Sequence, residues 1–354
     1  MTRNLFFGCI LFVLACAEGQ AQPAPTWSKL PPLPDSLGWA GMYAGQSQGI
    51  LFSFGGANFP AGYPWAGGQK RWYNRIYRLE PGKTWVRCSQ TLPAPAGYGV
   101  SVSWKNQIIL VGGSSQNSHL SRVIGYEWNG TALLPKTYPD LPVPLALMAG
   151  ALVGNLIIVA GGSQSPAGAA LNVCYGLDLT RLQQGWFTID PWPGPARTLP
   201  VCGVYEDRFY LFGGEKPGIS VAGKPFRHLL QDAYRLTLSA KQGKWTGSWQ
   251  PLSPMPRGAA AAGSPLPLLP TNRFLVWGGV DAVTALWSTP ATHPGITRNY
   301  LFYDPRTDTW VLGGEQADYP ARVTLPVVFW QQQWVYVSGE IKPGIRTNTV
   351  LSVH

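Results

Sequence analysis

The sequence predicts an all-β protein, a six-bladed β-propeller whose ring is closed by its own N-terminal strand. Three observations predict it. An apolar stretch ending in a glycine pair recurs along the chain. The chain holds 42 Gly, 33 Pro and 16 Trp in 354 residues; Gly and Pro interrupt helices, while aromatics fit pleated, half-buried surfaces. A Trp-bearing strand pattern also stands alone ahead of the first repeat, and the last repeat lacks one.

The leading segment reads as an export signal. Arg3 supplies a positive start, and Leu5 to Ala15 form an apolar run too short to span a bilayer. Small residues at Gly19 and Ala21 allow cleavage after Ala21, giving a signal peptide over 1–21 and a propeller over 22–354. A second reading is a lipid anchor at Cys16, because Val13-Leu14-Ala15-Cys16 resembles a lipobox. Both predict the periplasm or cell envelope. No other stretch approaches the ~20 apolar residues of a transmembrane helix. The mature part carries Cys88, Cys174 and Cys202, an odd, widely spaced set that reads as small buried hydrophobes and not as a disulfide framework.

The repeat comes next. LFSFGG, IILVGG, LIIVAGG, FYLFGG and FLVWGG place glycine pairs at Gly55, Gly112, Gly161, Gly213 and Gly278, and WVYVSGE carries Gly339-Glu340 instead. The intervals are 57, 49, 52, 65 and 61 residues, which straddle the roughly 50-residue kelch period. Each copy reads as four strands: a small-residue strand such as AGMYAG, the apolar strand, a third such as RIYRL, and a fourth with Trp or Tyr running into prolines. The fourth-strand pattern also occupies Thr26 to Pro34, and after the sixth copy only TNTVLSV remains. The leading strand therefore completes the last blade and leaves no open edge. In such a ring the loops after second strands and those entering first strands share one end of the central channel.

The formal charge is +10, which favours anionic ligands and equally describes a solvated face. No basic run or RNA-binding signature points to nucleic acid. Four histidines without His-Glu-x-x-His, and no Cys-x-x-Cys, give no support for a metal site. No Gly-x-Ser-x-Gly elbow, P-loop or cofactor motif is present.

Three groups remain on the channel face. In GEIKPGIRT, Glu340 opens the loop and Arg346 follows six residues later; the pair is either a site or a salt bridge that stabilises the loop. Blade four has a similar GEKPGI from Gly214, but Ser220 stands where the arginine would be, so only blade six is expected to pair Glu with Arg. Arg197, Arg257 and Arg322 follow inter-blade prolines. They could hold a carboxylate bidentately, or they could cap turn carbonyls as a repeat feature. The blade-one insertion gathers Asn58, Phe59, Tyr63, Trp65, Arg71 and Trp72, a set suited to sugar stacking and hydrogen bonding or to a packed lid.

The stretch GWAGMYAGQSQGILFSFGGANFPAGYPWAGGQKRWYNRIYRL resembles the opening of the cyclically permuted mutarotases, relatives of the N-acetylneuraminate epimerases. GEIKPGIRTNTV resembles their catalytic loop. Blades three to five match weakly. The resemblance implies interconversion of the α and β anomers of N-acetylneuraminate, with Glu340 and Arg346 catalytic; the substrate-binding candidates Arg197, Arg257, Arg322, Asn58 and Arg71 come from the residue pattern and not from the resemblance. It implies no cofactor and a sialic acid as the small-molecule partner. Glu340 is expected to shuttle a proton. Arg346, at the start of the third strand, is expected to keep it ionised and to grip the sugar carboxylate. A non-catalytic propeller that binds glycan or protein is the alternative. A sialidase is disfavoured, since LEPGKTW is a single partial aspartate box.

Overall fold

The computed structural model describes residues 24–219, 223 and 225–354. The export signal expected over 1–21, with its Cys16, lies outside them.

Six antiparallel sheets follow one another along the chain, as predicted. Blade one runs Tyr43–Ser47, Ile50–Phe54, Arg75–Leu79, Val86–Thr91, and blades two to four repeat the plan. Blade six is Val327–Trp330, Gln333–Val337 and Val350–Val353, completed by Trp27–Leu30 from the other end of the chain. Trp27 pairs with Val353 and Leu30 with Val350. The indole N–H of Trp27 donates to the Tyr300 hydroxyl of blade five at 2.8 Å, and its ring lies 4.4 Å from Trp277 and 5.2 Å from Tyr336. The closing strand thus fixes two blades at once. Apolar second strands bury between blades: Phe52 and Phe54 of blade one pack with Ile108, Tyr126 and Trp128 of blade two. Cys174 and Cys202 are buried free thiols and Cys88 is half-buried.

Blade five departs from the expected four strands. Only Phe274–Val276, Asn299–Asp304 and Thr309–Glu315 form its sheet. The first-strand position holds Pro265, Pro267 and Pro270, and proline has no N–H for a ladder. Two bonds substitute: Leu275 donates to the Pro267 carbonyl and Leu269 to the Arg273 carbonyl, each at 2.9 Å.

The glycine pairs sit where a side chain has no room. Gly55 and Gly56 have φ of 62° and 90°, and a Cβ on Gly55 would lie 2.2 Å from the Ala96 carbonyl oxygen. In blade six the left-handed pair is Ser338-Gly339, with φ of 57° and 114°. The repeat there begins one residue earlier than the glycines imply. Ser338 holds this conformation through its hydroxyl, which accepts the Trp39 N–H at 2.9 Å and lies 2.6 Å from the Thr347 carbonyl.

This register puts Glu340 at one level with Ala57, Ser114, Ser163, Glu215 and Val280, each bridged to the residue ahead of its own first strand. The next residues along, Gly41, Tyr98, Leu147, Leu199, Ala261 and Thr324, all have φ between 53° and 65°. Their backbones form a closed cycle of six hydrogen bonds of 2.6–2.9 Å around the channel. A left-handed non-glycine residue costs about 1–2 kcal/mol. The cycle supplies a partner for each inward N–H, which would otherwise be buried unpaired. The belt and first-strand residues line a cavity of only ≈80 Å³, against roughly 300–1,000 Å³ for small-molecule sites. The belt therefore nearly closes the channel at its own level, and the post-glycine residues lie just beyond it.

Candidate functional site

Glu340 begins a two-stranded hairpin, Glu340–Lys342 with Ile345–Arg346, turned at Pro343-Gly344. Glu340 and Arg346 are direct cross-strand partners, and the Arg346 Nη2 lies 2.8 Å from the Glu340 Oε2. Arg346 therefore belongs to this hairpin, and the third strand of blade six starts only at Val350. The Gly344 N–H donates to Glu340 Oε1 at 3.3 Å.

Both side chains are sheltered, Glu340 at 19% exposure and Arg346 at 5%. Burial raises the Glu340 carboxyl above its ordinary value, outweighing the lowering by Arg346, the Gly344 N–H, Lys70 and Arg227. The expectation that Arg346 keeps Glu340 ionised is corrected: desolvation is the larger influence and moves the carboxyl toward neutrality. A carboxyl moved toward neutrality is better matched to proton transfer near neutral pH. The Arg346 guanidinium lies 4.8 Å from the Phe59 ring, and its Nε and Nη1 are buried without partners. Unpaired buried donors on a cation are costly, and an incoming anion would satisfy them. A cavity of ≈260 Å³ adjoins it, lined by Asn58, Phe59, Tyr63, Gly344 and Arg346 among others.

The blade-one insertion covers this hairpin. It leaves the blade as a ribbon, Ala57–Asn58 paired with Arg71–Trp72. Tyr63 and Trp65 stack at 4.7 Å and 9° and are exposed, forming an aromatic platform. Arg71 is exposed, with its guanidinium 5.6 Å from the Tyr73 ring. Asn58 is fully buried: its amide donates to the Gly38 carbonyl at 3.0 Å and its oxygen accepts from the Tyr73 hydroxyl at 2.8 Å. It staples the loop, with both ends of its amide engaged by protein partners at the edge of the cavity.

The three post-proline arginines are withdrawn as substrate contacts. Arg197 is wholly buried, ion-paired to Asp232 at 2.5 Å, and donates to the Gly213 carbonyl at 2.7 Å. Arg257 donates to the Gly278 carbonyl at 3.2 Å and the Asn299 carbonyl at 2.9 Å. Arg322 is wholly buried, donates to the Ser338 carbonyl at 3.0 Å and the Thr349 carbonyl at 2.9 Å, and burial lowers it to about 9. Each arginine caps the first residue of the left-handed pair that ends its own blade's second strand. That is the turn-capping reading of the Pro-Arg pattern.

Two groups, Lys70 and Arg227, escaped the sequence reading. The Lys70 ammonium sits 3.9 Å from the Tyr98 ring and 4.7 Å from Trp72, close enough for its charge to reach Glu340. Blade four does pair its glutamate: the Arg227 Nε donates to Glu215 Oε2 at 2.5 Å. Its hairpin is longer, Glu215–Ile219 with Pro225–Leu229, so the arginine arrives twelve residues on, not six. Spacing alone could not show this. Among the described residues no three His, Cys, Asp or Glu side chains group as metal ligands, and no helix is long and apolar enough to cross a membrane.

No protein-family model matches the chain. It is 27% identical over 227 residues to an N-acetylneuraminate epimerase of Haemophilus influenzae (strain 86-028NP), a match covering 60% of this chain and 58% of the relative. An N-acetylneuraminate epimerase of Yersinia pestis (strain Pestoides F) is 28% identical over 247 residues, covering 62% and 59%. The chain thus spans less than two thirds of the length of these curated relatives. The resemblance read in its motifs is borne out at this level. The solved structure of YjhT is similar with a TM-score of 0.66 and 15% identity, over 92% of this chain and 97% of that one, which bears out the propeller architecture.

Proposed function

We propose that this protein is a mutarotase that interconverts the α and β anomers of N-acetylneuraminate. The observation that carries the reading is the Glu340–Arg346 pair, sheltered at the channel mouth with two guanidinium donors unspent. The names of its relatives support the substrate. Opening the cyclic hemiketal takes a proton from the anomeric hydroxyl and gives one to the ring oxygen; closure on the other face reverses both. Glu340 moves one of these protons, and its raised carboxyl suits that task. Arg346 attracts the sugar carboxylate, and the Lys70 charge that acts on Glu340 adds to that field. Tyr63 and Trp65 offer an apolar face to the sugar ring. No redox change or group transfer is required. Positioned acid–base groups supply ~10²–10⁴-fold, enough to matter for a reaction that already proceeds unaided.

Proton NMR of freshly released α-N-acetylneuraminate, with and without the protein, tests the proposal. Faster appearance of the β anomer is expected. An unchanged rate with saturable sugar binding would instead favour a glycan-binding propeller. Export to the periplasm or cell envelope is part of the proposal, on the strength of Arg3 and the apolar run to Ala15. Retention of the full-length chain in the cytosol on fractionation would contradict it.

A further inference from the structure

Anomer exchange moves two protons, one off the anomeric hydroxyl and one onto the ring oxygen, and the Glu340 carboxyl has one oxygen held by Arg346 and the other facing the Gly344 N–H, which favours a second group for one of the two transfers. Among the six residues at the post-glycine level, two are acidic: Glu340 of blade six and Glu215 of blade four. Both open a hairpin above the belt, and both are ion-paired to an arginine from the returning strand. Between them, blade five presents Val280. The Glu215 side chain is 8% exposed, whereas Arg227 is 41% exposed. The charge of Arg227 also acts on the Glu340 carboxyl, lowering it.

We infer that Glu215 is the second proton-transfer group of the proposed mutarotase, held by Arg227 as Glu340 is held by Arg346. This inference rests on the mutarotase reading. The ion-paired Glu215 carboxylate takes the proton of the anomeric hydroxyl. The electron pair of that O–H bond becomes the carbonyl, the bond from the anomeric carbon to the ring oxygen breaks, and the ring oxygen takes the Glu340 proton. The open-chain 2-keto acid then rotates about the bond to its carbonyl carbon. The chain hydroxyl returns its proton to Glu340 and adds to the opposite face, while the new anomeric oxygen takes the proton from Glu215. Atoms, protons and electrons balance, and no co-reactant enters.

The test compares wild type, Glu340→Gln, Glu215→Gln, Glu215→Asp and Arg227→Lys. Anomer exchange is followed by NMR from pH 4 to 9, N-acetylneuraminate binding by calorimetry, and folding by thermal melt. The expected result is a kcat drop of about 10²-fold or more for Glu215→Gln at nearly unchanged Kd. One limb of the pH profile should be lost, Glu340→Gln should lose the other, and Glu215→Asp should recover part of the rate. If Glu215→Gln keeps the wild-type rate and both limbs while Glu340→Gln is slow, the inference fails and the mutarotase reading stands. If wild type does not accelerate exchange, the mutarotase reading fails first. Should Glu215→Gln not fold, Glu215→Asp keeps the charge and decides. A wild-type pH profile and kcat in that variant, and in Arg227→Lys, overturn the inference.

Discussion

Gly344 lies directly against Pro64: a Cβ on the glycine would come within 2.5 Å of the proline Cδ. The contact joins the blade-one insertion to the turn of the Glu340 hairpin, and Gly344 also carries φ of 73° and donates its N–H to Glu340. One residue thus serves the lid, the turn and the carboxylate. Gly344→Ala adds a clash to left-handed strain of about 1–2 kcal/mol. The hairpin should shift while the ring stays folded. The expected outcome is a lower rate of anomer exchange with little change in melting temperature. A loss of rate matched by global unfolding would contradict this local account.

Glu340→Gln keeps the shape of the side chain and removes the proton transfer proposed for it. Exchange should slow by about 10²-fold or more, with sugar binding nearly intact. Arg346→Lys keeps a charge but gives up the planar fork and the extra donors, so KM should rise more than kcat falls. Steady-state kinetics on the two variants separate the roles; a Glu340→Gln enzyme of wild-type kcat would remove the carboxyl from the mechanism.

The ring was legible in the sequence because its determinants are local. A left-handed strand end with no room for a Cβ selects glycine, and burial demands apolar alternation, so both recur along the chain. The Trp27–Leu30 closure was legible because a fourth strand was missing at one end and spare at the other. Blade five was misread because its leucines look like a strand while its prolines remove the donors. The site was only half legible. Glu340 and Arg346 meet across a short hairpin and keep a fixed spacing. Glu215 and Arg227 meet across a longer one, and Lys70 reaches the site by tertiary folding, with no sequence spacing to mark either. Arg197 and Arg322 misled because a cation after a proline looks the same whether it faces a ligand or a carbonyl.

Those arginines give a stability prediction in place of a binding one. Arg197 is wholly buried, with Asp232 and the Gly213 carbonyl as its partners. Removing one member of a buried pair costs roughly 3–5 kcal/mol, and Asp232 at 28% exposure retains some solvation, so Arg197→Met should cost toward the lower end. Urea unfolding should show the loss, while KM for the sugar in the remaining folded protein stays unchanged. A raised KM at unchanged stability would return Arg197 to the site.

Acid should unfold the ring through two third-strand aspartates. Burial pushes Asp178 up, but bonds from Thr180, Trp245 and Arg181 outweigh it and hold the carboxyl at about 2. The Arg306 side chain is the main influence holding Asp304 at about 2, with Arg273 assisting. Both lie below the ordinary 3.8, so between these values the unfolded chain binds more protons than the folded one. Their stabilisation is present above about pH 4 and drains away as pH falls toward 2. Unfolding free energy should rise across that window in wild type and rise less in Asp178→Asn or Asp304→Asn. Equal slopes in all three would refute the assignment.

The closing strand yields the last prediction. Trp27 touches Trp277, Tyr300 and Tyr336, so its side chain holds the first described strand against blades five and six together. It is half-buried, and its removal should cost roughly 3 kcal/mol, at the low end for a tryptophan truncated in a core, including the bond to the Tyr300 hydroxyl. The loss falls at the seam, where the ring can open without unravelling every blade. In Trp27→Ala, amide exchange should therefore accelerate first in Val350–Val353, the strand paired with Trp27–Leu30, and in the Glu340 hairpin just ahead of it. Blades two and three should keep their protection. Anomer exchange should fall at temperatures below the global melt, because the seam and the candidate catalytic hairpin belong to the same blade. Uniform loss of protection around the whole ring would show that closure and the other blades unfold as one unit.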